Sequence, residues 1–168
     1  MALSGFDHSV QWHEFRPVSQ RPEGISEDAQ MRTRTVAFRF GTQQPRGQDC
    51  RVISATVSIA VDGGRSWVVD GRQSDGLLRH EQGHYDIVAL GTRELYNRVL
   101  TLTAPRCPDI NTLARQLQQQ MQTQIDAADD RYDDRTNHGN NASVQQTWEA
   151  RIRSAKQSAT GTLADLPQ

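Results

Sequence analysis

Residues 77–84 read Leu-Leu-Arg-His-Glu-Gln-Gly-His, and this stretch contains the pattern His-Glu-x-x-His. On an α-helix, residues four positions apart lie one above the other on the same face, so the imidazoles of His80 and His84 can bind one metal ion. Neutral imidazole is a favoured ligand of zinc, and a catalytic zinc keeps one coordination position for water. Glu81 follows the first histidine, where its carboxylate can act as a general base toward that water. The pattern therefore predicts a zinc-dependent hydrolase of peptide bonds.

The surrounding residues predict a helix that carries this pattern on its buried face. No proline occurs from Leu77 to Leu100, and Ser74 or Asp75 can cap the N-terminus of the helix. At about 100° per residue, His80 and His84 share one side of the helix with aliphatic residues. Burying an unpaired polar group costs about 1–3 kcal/mol, so two inward-facing histidines need polar partners or a metal ion.

Length and composition predict one domain over residues 1–168, with residues 1–10 and 158–168 loosely ordered because they are weakly patterned. The formal charge of −1 and the pI near 6.5 give no electrostatic reason to expect nucleic acid or an anionic membrane as a partner. No apolar run approaches the roughly 18 residues of a membrane span. We expect the partner to be a peptide or protein substrate.

The N-terminus and the two cysteines provide evidence about the cellular compartment of the protein. Residues 1–11 lack a basic segment followed by an apolar one, so they are not a signal peptide. Cys50 and Cys107 form either one disulfide in an oxidising compartment or two thiols in a reducing one. Neither cysteine belongs to a Cys-x-x-Cys pair or lies near the histidines in sequence, so we do not expect them to bind zinc.

Three segments have the patterning of β-strands: residues 32–41, 50–61 and 66–69. In the first strand we expect Val36, Phe38 and Phe40 to face inward. The turn signal Asp-Gly-Gly at residues 62–64 predicts that the second and third strands form a hairpin.

Two further helices follow the one that carries the histidines. Apolar residues keep a helical spacing from Ile110 to Tyr132, and residues 143–156 form a shorter helix with Val144, Trp148 and Ile152 on its inner face. The predicted fold is α+β, with a small antiparallel or mixed sheet packed on the histidine-bearing helix, then a long helix and a C-terminal helix.

A catalytic zinc requires a third protein ligand besides the two histidines. In one large class of zinc proteases this ligand is a histidine six residues after the second one, but Leu90 occupies that position. The segment 132–139 is richest in candidates. His138 is our first choice because a neighbouring glycine lets the loop bend toward a site, and Asp133 and Asp134 are the alternatives.

The sequence resembles a bacterial family grouped as domain of unknown function 922, whose members are described as usually exported zinc-dependent proteases of the zincin type. The resemblance extends from about Gln11 to Trp148, but its specific blocks are residues 79–87 and the segment 132–139, which contains Tyr-Asp followed by Thr-Asn-His-Gly. It implies a zincin-like fold and an exported or periplasmic location.

The resemblance also implies roles for single residues. It implies that His80, His84 and His138 are zinc ligands, that Glu81 is the catalytic base, and that Tyr132 and Asp133 belong to the site. In the hydrolysis reaction, Tyr132 is then a candidate donor to the developing oxyanion. The strand 50–61 or its hairpin partner is the expected sheet edge for an extended peptide.

Two other functions compete with the hydrolase. In the first, the same three ligands hold zinc in a non-catalytic module that binds proteins. In the second, which is the weaker alternative, the chain is a helical interaction protein that binds no metal.

Overall fold

The computed structural model describes residues 2–168, and it shows an α+β fold with two small mixed sheets and three long helices. The strands are β1 (Ala2–Ser4), β2 (Arg16–Val18), β3 (Ala29–Gln30), β4 (Thr33–Gln43), β5 (Cys50–Val61), β6 (Trp67–Val69) and β7 (Thr103–Ala104). The helices are α1 (Asp75–Leu100), α2 (Cys107–Thr136) and α3 (Ala142–Gln157), with single 3-10 turns at Trp12–Glu14 and Leu163–Asp165.

The larger sheet has β5 at its centre. β1 pairs with β5 in parallel, while β4 and β7 pair with it antiparallel. From Ala55 to Val61, every second residue of β5 is buried, so this half of the strand has one apolar face. That face packs on α1, as the period of two predicts.

Two β-bulges shift the faces of these strands, and one prediction is wrong as a result. Phe38 and Phe40 of β4 pack against the core as expected, but Val36 is 50% exposed. The pairing skips from Thr35 to Ala37, so Val36 lies in a bulge where the alternation is broken. A second register shift lies between Gly41 and Thr42 of β4. It leaves Ile53 of β5 without a pairing partner, and this side chain is also exposed.

The predicted hairpin between β5 and β6 is also wrong. The Asp-Gly-Gly turn forms, but β6 leaves β5 and becomes the central strand of the smaller sheet, in the order β2-β6-β3. Fully buried Ser66 fixes this departure, since its hydroxyl accepts a hydrogen bond from Arg32 N at 2.9 Å and donates one to Arg32 O at 3.2 Å. The side chain thereby ties the end of the turn to the junction of β3 and β4.

The three helices form close to their predicted ranges. Ser74 caps α1 by accepting a hydrogen bond from Leu77 N, and the buried residues of α2 follow the helical spacing predicted from Ile110 to Tyr132. On α3, Trp148 and Ile152 are buried and Val144 is partly buried. Among the described residues, no helix combines the length and the apolar surface that crossing a lipid bilayer requires.

Described residues near both ends of the chain pack against the rest of the fold. Residues 2–4 form β1, and Val10 is only 2% exposed. At the C-terminus, Leu163 and Leu166 insert into the main core. A few apolar side chains are therefore sufficient to hold segments that lack a periodic pattern.

The two cysteines form a disulfide, which resolves the alternatives left open by the sequence. Cys50 begins β5 and Cys107 begins α2, so the bond joins the central strand to the long helix. Its sequence separation of 57 residues encloses the whole of β6, α1 and β7.

Candidate metal centre

Helix α1 places three side chains of the His-Glu-x-x-His pattern in the interior. His80, Glu81 and His84 are 3%, 2% and 8% exposed, as predicted from the helical periodicity. The two imidazoles lie one turn apart, and their Nε2 atoms are 3.1 Å from each other. Both rings face α2, which packs across α1.

Asp133, on the last turn of α2, completes a compact group with the two histidines. Its Oδ1 atom lies 3.1 Å from His80 Nε2 and 3.0 Å from His84 Nε2. One ligand atom from each of the three residues therefore lies within 4.8 Å of the others, and this buried group could hold a metal ion.

The outer nitrogen of each imidazole contacts a hydrogen-bond acceptor. His84 Nδ1 lies 2.6 Å from Asp129 Oδ1, and His80 Nδ1 lies 3.2 Å from Gln145 Oε1. The amide nitrogen of Gln145 donates to Tyr132 Oη and to Glu149 Oε1, so its oxygen is the atom that faces His80. With both Nδ1 atoms donating, each neutral ring has its lone pair on Nε2.

Three acceptors then converge at one point: two imidazole lone pairs and a carboxylate. Acceptors that are 3.0–3.1 Å apart repel one another unless a cation lies between them. The spacing suits a metal, because tetrahedral ligands at about 2.0–2.1 Å from zinc are about 3.3–3.4 Å from one another. Small outward shifts of the three side chains would reach that geometry.

The charges around this point also favour a cation. Burial lowers the pKa of His84, but Asp129 and Asp133 outweigh it and hold that pKa well above its ordinary value. Burial likewise raises the pKa of Asp133, but the adjacent His80 and His84 reverse the effect and hold it far below its usual range. Positive charge at this point is therefore stabilised by the two carboxylates.

Glu81 lies beside the group and connects α1 to the smaller sheet. Its Oε2 atom accepts a hydrogen bond from Met31 N at 2.8 Å, directly after β3. Burial raises the pKa of this carboxyl group, and the nearby imidazoles of His84 and His80 offset part of that rise. Within residues 2–168, no donor forms a hydrogen bond to Oε1.

A cleft of about 320 Å³ opens onto these residues. One wall is the extended segment 26–32 that contains β3, the floor is α1, and the other wall is the end of α2 with the loop after it. Met31 and Arg32 therefore lie opposite Asp129 and Asp133 across the cleft.

The structure does not bring His138 into the three-residue group. Its Nδ1 atom lies 3.4 Å from Asp133 Oδ1 and 3.1 Å from Glu27 Oε1, at the mouth of the cleft, and neither contact has the geometry of a hydrogen bond. Helix α2 ends at Thr136, and His138 follows in a left-handed conformation with φ of 51°. The geometry favours Asp133 as the third ligand, whereas Asp134 is exposed and outside the group.

Tyr132 supports the site from behind. Its ring is fully buried and stacks on His80, with ring centroids 4.8 Å apart. The hydroxyl donates to His80 O at 3.3 Å, and Tyr132 does not line the cleft. This orientation argues against the expected role as oxyanion donor and assigns the side chain to positioning His80.

Two partners of the histidines were missed in the sequence. Asp129 precedes Asp133 by four residues, so the helical spacing alone would have placed both carboxylates on one face of α2. Gln145 lies on α3, and nothing in its local sequence distinguishes it from the other glutamines.

Comparison with known proteins gives one match. No curated protein and no solved structure matches the chain. The matched family model begins before β6 and ends just after His138, so it contains α1 and both candidate third ligands. It confirms the family resemblance over part of the range expected for it. Over residues 65–139, the chain matches the family described as "Bacterial protein of unknown function (DUF922)".

Proposed function

We propose that this protein is a zinc-dependent hydrolase of peptide bonds, with a zincin-like arrangement in which His80, His84 and Asp133 hold the metal. The observation that carries the proposal is the convergence of three acceptors at one point, with the outer nitrogens of the two imidazoles held by Gln145 and Asp129. Two imidazoles and one carboxylate form a ligand set that catalytic zinc uses, with one position left for water or substrate.

The reaction needs an acid–base group beside the metal, and Glu81 is suited to this role. A bound zinc ion supplies a Lewis acid that polarises the scissile carbonyl and lowers the pKa of water. Glu81 Oε1 accepts the proton of the attacking water, while Oε2 remains anchored on Met31 N. The same carboxyl group then gives the proton to the leaving amine.

An extended peptide would lie along the wall formed by residues 26–32. The sequence predicts the strand 50–61 or its hairpin partner as this edge, but β5 and β6 each have partners on both sides. β3 is instead an edge strand of the smaller sheet, and its residues line the cleft. Strand addition there would bring a peptide bond over the histidines.

A second function is favoured by one specific contact. The hydrogen bond from Met31 N to Glu81 is the kind of link that a structural carboxylate makes, since it ties α1 to β3. In that case the three ligands hold zinc to stabilise a protein-binding module, and Glu81 performs no chemistry.

The variant Glu81→Gln separates the two functions, since glutamine can still accept the hydrogen bond from Met31 N. If the protein is a hydrolase, zinc-loaded wild type cleaves a quenched-fluorescence peptide library and the variant loses about 100-fold or more of that activity. Bound zinc, measured by atomic emission, stays near one per chain in both. Glu94→Gln, farther along the same helix, is the control and retains activity.

Other outcomes of the same experiment favour the other functions. Stoichiometric zinc with no cleavage by the wild type favours the binding module. A protein that takes up no zinc contradicts both functions and leaves the metal-free interaction protein.

A further inference from the structure

A groove of about 310 Å³ continues from the metal cleft along β4. Its floor consists of apolar side chains from the larger sheet and from helices α1 and α2, among them Phe38, Val57, Val88, Met121 and Ile125. Phe38 and Val88 are only partly buried, so apolar surface is exposed in the groove. Polar residues of β4 and α2 form its rim, and this pattern of an apolar floor inside a polar rim is typical of ligand grooves.

The groove and the cleft form one continuous channel. Met31, Arg32 and Asp129 line both, so no element separates them. The extended segment 29–35 runs along the wall of the cleft and then along the wall of the groove. In the described part of the chain, β4 pairs only with β5, which leaves its other edge open to an added strand.

The position of the floor along α1 gives the distance from the metal centre. Val88 lies one turn after His84, about 6 Å along the helix axis. An extended peptide advances about 3.3 Å per residue, so a side chain about two residues from the bond held at the histidines reaches Val88.

We infer that this groove binds a large apolar side chain of an extended peptide substrate. The inference rests on the proposed hydrolase function and specifies its substrate class, namely peptides with leucine, phenylalanine or a similar residue about two positions from the scissile bond. Covering Phe38 and Val88 removes apolar surface from water on both partners.

The charges of the rim do not select a charged side chain. Arg32 and Arg65 lie on the side of the sheet, and Asp126 and Asp129 lie on α2. The two pairs have opposite signs, so the groove as a whole prefers neither an acidic nor a basic residue. A polar side chain placed on the apolar floor would lose its hydrogen bonds to water.

The test measures binding in the zinc-loaded Glu81→Gln background, which removes hydrolysis. The probes are fluorescein-labelled octapeptides with an Ala-Gly background, in which one position at a time is leucine or serine. We expect leucine at one position, and not at distant ones, to lower Kd by about tenfold or more relative to serine.

The variant Gln122→Trp fills the groove from its rim with little risk to folding, since Gln122 is an exposed residue of α2 that lines the groove. It should remove the tenfold preference. Gln124→Trp, also exposed on α2 but outside the groove, is the matched control and should retain it.

Three results would overturn the inference: no peptide binding, equal Kd for leucine and serine peptides at every position, or a preference that survives Gln122→Trp. The proposed function fails in a different way. If the leucine preference depends on Gln122 but wild-type protein cleaves no peptide, the groove stands as a binding site and the hydrolase proposal falls.

Discussion

His84 and Asp129 form a short contact beside the candidate metal centre, with 2.6 Å between Nδ1 and the carboxylate oxygen. Asp129 lies one turn before Asp133 on α2, so a single face of this helix supplies both a candidate ligand and the group that orients a ligand on α1. The carboxylate fixes the Nδ1–H tautomer and leaves Nε2 available to a metal. The relative position of α1 and α2 therefore determines whether the site exists.

The first prediction concerns Asp129. Asp129→Ala should weaken zinc binding by about 10–100-fold, because His84 loses the partner that fixes its tautomer and raises its basicity. The measurement is competition with a chromophoric zinc chelator. Asp130→Ala, at an exposed neighbouring position, is the control. Equal affinity in the two variants would show that the contact does not act on the metal.

The second prediction distinguishes the two candidates for the third ligand. Asp133→Ala should abolish stoichiometric zinc binding, since it removes the oxygen that lies 3.0–3.1 Å from both Nε2 atoms. His138→Ala should retain about one zinc per chain, because its ring lies outside the group. Metal content after gel filtration decides between them, and the opposite result would restore His138 as the ligand.

Asp133 and His138 show how much of the candidate site could be predicted from the sequence. The pattern at residues 80–84 indicates two ligands and their burial, because a helix brings residues four positions apart together. The candidate for the third ligand depends on where α2 ends. Since the helix continues to Thr136, Asp133 lies on its last turn facing α1, whereas His138 lies beyond the end of the helix. Composition alone did not locate that end.

The strands were harder to predict than the helices for a related reason. The alternation in residues 50–61 is strong enough to predict a strand, but pairing depends on residues far apart in sequence. The hydrogen bonds between Ser66 and Arg32 hold the start of β6 next to the smaller sheet. Nothing in the sequence around Ser66 predicts this contact. The bulge at Val36 likewise arises from the register against β5.

The third prediction concerns pH and the N-terminal segment. Burial, with smaller contributions from Glu14 and Asp86, raises the pKa of Tyr85 from its ordinary value of 10.0 to about 12. Its hydroxyl donates to Gly5 O at 2.8 Å, just after β1. The folded state holds the protonated form, so this stabilisation is complete below pH 10 and is lost as pH rises to about 12.

Tyr85→Phe provides the comparison. At pH 8 the variant should be less stable by about 0.5–1.5 kcal/mol, because the hydrogen bond is missing. The difference in free energy of unfolding between wild type and variant should then shrink from pH 10 to 12. Urea titrations at each pH measure it, and a difference that stays constant would contradict the shifted pKa.

The fourth prediction concerns the disulfide. Linking Cys50 to Cys107 closes a loop of 57 residues, which in the chain-entropy treatment stabilises the fold by about 4 kcal/mol. Wild type in dithiothreitol and the double variant Cys50→Ala/Cys107→Ala should both lose stability of that order. Dithiothreitol should leave the double variant unchanged.

The fifth prediction concerns the glycine inside the His-Glu-x-x-His pattern. A Cβ atom at Gly83 would lie 2.5 Å from Tyr132 Cζ and would overlap the hydroxyl. Helix propensity alone favours alanine over glycine by about 1 kcal/mol. We expect Gly83→Ala to destabilise the protein nevertheless, because overpacking typically costs about 1–3 kcal/mol and Tyr132 cannot move without releasing His80.

Gly76→Ala is the matched control on the same helix. A Cβ atom there would have no neighbour closer than 3.9 Å, so the substitution should be neutral or stabilising by at most about 1 kcal/mol. Thermal melts and zinc affinity are measured for both variants. Gly83→Ala should lower the Tm and weaken zinc binding together, since Tyr132 stacks on a ligand. If both variants gained stability, α2 would not lie as close to α1 as the metal centre requires, and the contact between Asp133 and the histidines would fail with it.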